Sequence, residues 1–180
     1  MVYVFLANGF EETEAIAPID ILRRCGLDVV TVGIGEEVIT GSHGISVIPD
    51  ITEVDFAPSE DIDMIVLPGG MPGTLNLEKS RTVQEAIDYC TENGKYIGAI
   101  CAAPSVLGKK NLLTGKKATC FPGFEDFLLG AEFTGAPVEA DGKIITARGA
   151  GVAVEFGLKL AEVLKGSAAS DKVRAAMRCI

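Results

Sequence analysis

Cys101 ends the apolar run Tyr96-Ile97-Gly98-Ala99-Ile100 and is followed by Ala102-Ala103-Pro104. Such a run suits a strand buried on both faces of a parallel sheet. Pro104 suits the first turn of a helix, where its missing N–H costs nothing. The cysteine then stands on a sharp strand-to-helix turn with its sulfur above the sheet, as in a nucleophile elbow. Free N–H groups and the positive end of the following helix favour thiolate, so the sequence predicts a pKa below the roughly 8.5 of a free cysteine. The plain alternative is a buried, inert cysteine that closes a core strand.

Two further stretches would meet Cys101 at the same rim. Glu11, Glu12 and Glu14 follow the strand-like Val2–Ala7, and Gly69-Gly70 follow Met64–Leu67. Gly70 can present a backbone N–H without side-chain obstruction, and with the Ala102 N–H it would form an oxyanion hole. Glu11 and Glu12 read most simply as acidic residues complementing a helix N-terminus, or as polar contacts at an interface. Glu14 is the sharper candidate. An ionised carboxylate beside the sulfur would raise the thiol pKa, whereas a protonated one can donate to thiolate, so Glu14 is expected to be a buried, neutral acid able to exchange a proton with substrate. His43 is the only histidine and lies in a turn-like segment, where a surface or interface role is expected. With Ala102 after the cysteine and no histidine downstream, a conventional Cys–His hydrolase is not expected. Arg24 and Arg148 are candidates for binding a substrate anion, against the default of a solvated face.

The elements that must position these groups alternate. Strands are expected at Val2–Ala7, Asp28–Gly33, Asp61–Leu67, Tyr96–Ile100 and Ala118–Phe121, with hairpins at Val38–Ile39/Ile45–Ile48 and Val138–Asp141/Lys143–Thr146. Helices are expected at Ala15–Cys25, Arg81–Asn93, Val152–Leu164 and Ser170–Met177, with one opening at Pro104 and a short helical segment near Phe124–Leu129. This order gives an α/β fold with a doubly wound parallel sheet, whose ligands gather at the strands' carboxyl ends. No repeat or linker divides residues 1–180, so one domain is expected.

Composition narrows the function class. The net charge is −9, and no basic patch offsets it, which argues against nucleic acid or an acidic membrane as partner. No apolar run approaches a membrane span. Five scattered cysteines suggest neither a disulfide framework nor a CxxC metal site. No signal-peptide pattern opens the sequence, so reduced thiols in a cytoplasmic protein are expected.

Four motifs in order, Ala7-Asn8-Gly9-Phe10-Glu11-Glu12-Thr13-Glu14, Val66-Leu67-Pro68-Gly69-Gly70, Ala99-Ile100-Cys101-Ala102-Ala103-Pro104 and Arg148-Gly149-Ala150-Gly151, resemble the ThiJ/PfpI superfamily, closest to its parkinsonism-associated protein deglycase (DJ-one) branch. The resemblance implies a flavodoxin-like, class I glutamine-amidotransferase-like fold and a homodimer. It implies Cys101 as an oxidation-prone nucleophile, Glu14 as its protonated partner, and Gly70 and Ala102 as N–H donors toward substrate or an oxidised sulfur. Glu11 and Arg24 fall where members carry polar residues near the pocket and the dimer interface. The activities implied are cofactor-free glyoxalase III chemistry, converting methylglyoxal to lactate, and deglycation of glycated protein. Oxidative-stress sensing or chaperone-like binding through oxidation of Cys101 is the alternative. Two positions depart from the pattern: Phe121 stands where many members carry a histidine, and a family arginine is replaced around His43.

Overall fold

In a computed structural model describing residues 1–179, the chain forms three layers around one mixed sheet. In chain order the first elements are β1 (Val2–Ala7), α1 (Glu12–Arg24), β2 (Val29–Ile34), β3 (Ile39–Thr40), β4 (Ser46–Val47), β5 (Ile51–Thr52) and β6 (Met64–Leu67). They continue with α2 (Gly73–Lys79), α3 (Arg81–Glu92), β7 (Tyr96–Ile100), α4 (Pro104–Lys109) and β8 (Lys117–Ala118). The chain then runs through β9 (Glu132–Phe133), β10 (Val138–Asp141), β11 (Ile144–Ala147), α5 (Ala153–Lys165) and α6 (Ser167–Ala176).

The main sheet has the order β10-β11-β7-β6-β1-β2-β5. All its pairings are parallel except β10 with β11. The strand order reverses direction between β1 and β6, and β7 lies next to β6, so their carboxyl ends form the crevice where such sheets bind ligands. β1, β6 and β7 are buried along nearly their whole length, which explains their continuous apolar sequences.

Each sheet face has its own apolar layer. On one face Phe5, Ile65, Leu67, Ile87, Ile97 and Leu107 pack together with α3 and α4. On the other Val4, Leu6, Ile21, Leu22, Phe156 and Leu160 join α1 and α5. Phe156 is fully buried, and truncating such a side chain to alanine costs about 3–5 kcal/mol.

Several expected boundaries move. α1 begins at Glu12, earlier than the apolar period suggests, because Glu11 caps it: its carboxylate accepts from the Glu14 N–H at 2.7 Å. The strand expected through Phe121 ends at Ala118, and the chain then turns so that the Phe121 N–H donates to the Cys101 carbonyl at 2.8 Å. The segment near Phe124–Leu129 is a single 3-10 turn over Glu125–Phe127. The first hairpin is a two-residue pairing of β3 with β4, and β5 and α2 have no counterpart in the sequence reading.

Candidate active site

The sulfur-bearing turn is strained. Cys101 has φ +64, a left-handed conformation that L residues rarely adopt, directly after β7 and before the Ala102–Ala103 turn into α4. The Cys101 N–H donates to the Ala147 carbonyl at 2.8 Å, and its own carbonyl accepts from Phe121, so both neighbouring segments hold the elbow. Backbone N–H groups of Gly70 and Ala102 are directed at the sulfur, as the sequence places them.

Glu14, in the first turn of α1, is 1% exposed. Its carboxyl accepts from the backbone N–H of Gly69, at 2.9 Å to Oε2, and faces the Cys101 thiol and the Ala150 N–H. The crowding explains Gly69. A Cβ there would stand 2.5 Å from Glu14 Oε2 and 2.6 Å from Cys101 Cβ, so any larger residue would part the pair.

Burial, with the Glu11 charge nearby, pushes the Glu14 carboxyl up to about 7. Burial first, then the Glu14 charge, pushes the Cys101 thiol up to about 12, against the pull of the Gly70 and Ala102 N–H groups. This corrects the expectation of a simple low-pKa thiol. The helix behind the sulfur has only six residues, a weak dipole, and it is outweighed by partial burial of the sulfur against a fully buried carboxyl. The two groups titrate as a pair that loses one proton near 7 and keeps the other to about 12. In that range the remaining proton rests mainly on the sulfur; the minor form, with the proton on Glu14, is the one that carries a thiolate, and the Gly70 and Ala102 N–H groups stabilise it.

The other candidates fall at different distances from this centre. Glu11 lies beside it, through its cap on Glu14 N and its own N–H, which donates to the Gly69 carbonyl at 2.9 Å. His43 does not face the sulfur. Its Nδ1 lies 2.9 Å from Glu12 Oε2 and its backbone N–H donates to Glu12 Oε1 at 2.8 Å, with 70% of the side chain exposed. Arg148 lies on the rim, where it lines a cavity with Phe121. Arg24 is not brought to the site in this chain: it sits at the far end of α1, about 15 Å of helix from Glu14, where its Nε bonds Asp20 at 2.7 Å.

Glu12 stands in the first turn of α1, as expected, but does more than complement the helix N-terminus. It is 7% exposed, and its carboxylate accepts from His43 N–H and Ile45 N–H while facing the His43 ring and the Ser42 hydroxyl. Burial opposes its charge, yet the hydrogen bonds from His43, its own backbone and Ile45 hold its carboxyl down to about 2. The same contact raises the His43 imidazole. Glu12 therefore anchors the loop over 41–45 beside the active-site rim. Among the described residues Glu11, Glu12 and His43 form the one group with ligand atoms within 4.8 Å of one another, but the Glu12 oxygens already bind the loop.

Comparison with known proteins places this architecture. Glutathione-independent glyoxalase DJR-1.2 of Caenorhabditis elegans is 33% identical over 158 residues, covering 87% of this chain and 83% of that protein. Protein DJ-1 homolog B of Arabidopsis thaliana is 39% identical over 168 residues, 92% of this chain; the chain spans only 38% of that relative's length. The crystal structure of Drosophila melanogaster DJ-1beta superposes with a TM-score of 0.92 at 36% identity, covering 99% of this chain and 97% of that one. The DJ-1/PfpI family matches residues 1–163, a span that holds every group around the elbow, and the chain belongs to that family.

Proposed function

We propose that the protein is a cofactor-independent glyoxalase that converts α-oxoaldehydes such as methylglyoxal to 2-hydroxy acids. The observation that carries this reading is the Cys101–Glu14 pair, a half-buried nucleophile against a buried acid, between which one proton is shared. A relative named glutathione-independent glyoxalase supports it.

In this reading the thiolate adds to the aldehyde carbon, and Glu14 donates its proton to the resulting alkoxide. Once the sulfur is bound its charge is gone, so Glu14 is left as a carboxylate, the form a base requires. It takes the proton from the former aldehyde carbon and returns it to the adjacent carbon through an enediol, leaving the hydroxy acid as a thioester on Cys101. Water then cleaves the C–S bond. The aldehyde carbon is oxidised and the ketone carbon reduced, so no external oxidant or reductant enters. Backbone N–H groups of Gly70 and Ala102 stabilise negative charge at the sulfur and on the adjoining oxygen. Deglycation of early protein adducts would use the same first step.

One observation favours a second reading. Two N–H donors and a carboxyl around a single sulfur would equally hold a sulfinate, as in a redox sensor. The chain would act as a cytoplasmic homodimer, and exposed Ile45 and Ile48 support an apolar surface for a second copy. Peptide-resolved mass spectrometry tests the catalytic reading: methylglyoxal should add reversibly to Cys101 and leave the wild type as lactate. Adducts spread over surface lysines and arginines, with Cys101 unmodified, would refute it.

A further inference from the structure

Phe121 is a large apolar side chain left 47% exposed, although it stands directly beside the elbow. It forms one wall of a cavity of about 440 Å³, within the range of small-molecule sites. Pro122 and Val152 continue the apolar lining, Gly149, Ala150 and Gly151 add backbone to it, and Arg148 is its one charged residue.

Two backbone contacts tie this cavity to the reacting groups. The Phe121 N–H holds the Cys101 carbonyl at 2.8 Å, and the Ala150 N–H, in the cavity lining, faces the Glu14 carboxyl. Gly149 keeps the passage between them open. A Cβ at that position would stand 3.2 Å from Phe121 Cδ2 and 3.9 Å from Glu14 Oε1, in the space between the ring and the acid. A substrate joined to Cys101 and within reach of Glu14 thus has an apolar recess alongside it, far larger than a methyl group fills.

The geometry points to a preference for α-oxoaldehydes bearing a bulky apolar substituent, aryl above methyl, with Phe121 as the residue that sets it. This rests on the reading of Cys101 and Glu14 as the group that captures the aldehyde. Hydrophobic contact and an offset or edge-to-face stack on the Phe121 ring supply the discrimination, roughly twofold to tenfold for the stack itself. The chemistry is unchanged and balances as before: phenylglyoxal and water give mandelate, with the aldehyde carbon oxidised and the ketone carbon reduced.

Phenylglyoxal and methylglyoxal are compared on the wild type, Phe121→Ala and Phe121→Leu, with far-ultraviolet circular dichroism to confirm the fold. Two readouts are taken: kcat/KM for hydroxy-acid release, and the aldehyde concentration that half-protects Cys101 from iodoacetamide. Taking the ratio of the two aldehydes, and then of variant to wild type, cancels their intrinsic reactivities. Phe121→Ala should cut the phenylglyoxal preference by about fivefold or more, chiefly through KM and half-protection, while methylglyoxal changes by less than about threefold. Phe121→Leu should fall between. A preference unchanged within about twofold in Phe121→Ala overturns the inference, as does an equal loss for both aldehydes or no protection by either. Protection that still depends on Phe121, without release of any hydroxy acid, would uphold the recess and overturn the glyoxalase reading instead.

Discussion

Glu14→Gln separates the two protons of the active-site pair. The wild-type pair loses its first proton near 7 and its second near 12, so alkylation of Cys101 should rise through pH 7 and then level off. The glutamine amide keeps a hydrogen-bond donor but carries no charge. Two unit charges about 4 Å apart interact by about 4 kcal/mol at an effective dielectric of 20, equivalent to about three pKa units. Removing the carboxylate should therefore bring the Cys101 thiol down from about 12, while burial, the larger cause, still holds it above its ordinary value, so that it titrates alone between about 9 and about 12. The alkylation midpoint should accordingly move up, from about 7 to about 9 or above, even though the thiol itself has become more acidic. The assay is the rate of iodoacetamide labelling at Cys101 across pH, resolved by peptide mass spectrometry. Cys90 and Cys120, both buried, serve as slow internal references. Turnover of methylglyoxal should fall in the same variant by roughly a hundredfold to ten-thousandfold, because the amide cannot cycle a proton. A labelling midpoint that stays near 7 in Glu14→Gln would refute the shared-proton reasoning.

Stability should show the same carboxyl. Glu14 rises from an ordinary 4.5 to about 7 on folding, so its contribution is fully present below about 4.5 and is lost as pH climbs through 7; Glu14→Gln should exceed the wild type at pH 8 by about 3 kcal/mol relative to their difference at pH 4, read by urea unfolding. Glu12 has the opposite sign: its carboxyl is held at about 2, so its support of the 41–45 loop is present above about 4.5 and fades as pH falls toward 2. Glu12→Gln should cost about 1–3 kcal/mol at pH 7 and speed amide exchange at His43 and Ile45, with little effect below about pH 2. His43→Ala leaves the Cys101–Glu14 pair intact, so methylglyoxal turnover should fall by less than about tenfold, roughly 1.4 kcal/mol of barrier; near-complete loss in steady-state rates would give the imidazole a role that its position on Glu12 does not.

The elbow was legible because its signals are local. A continuous apolar run, small residues at Ala102 and Ala103, and proline at position 104 together leave few conformations open. The parallel sheet followed from the same kind of run in β1, β6 and β7, which are buried on both faces. Short elements were lost where packing supplies what periodicity does not. β5 is two residues added to the edge of β2, and α2 opens on Gly73 and Thr74, which carry no apolar stripe. The sign of the Cys101 shift was beyond reach for another reason. Helix position favours the thiolate, but burial and a neighbouring carboxyl outweigh a six-residue helix, and both depend on chain segments dozens of residues away. Glu12 and His43 are similarly separated by 31 positions. An acidic residue in a first helical turn had a sufficient local explanation, which concealed its part in holding the loop.

Counting lactate released per chain tests the catalytic role of Cys101 most directly. Purified wild type and Cys101→Ser are incubated with methylglyoxal in large excess, and lactate is measured by NMR alongside aldehyde consumption. The wild type should release many lactate molecules per chain, matched to the aldehyde consumed, while Cys101→Ser releases none above the rate without protein. Aldehyde uptake that stops near one equivalent without lactate, or equal lactate from Cys101→Ser, would contradict catalysis by this cysteine.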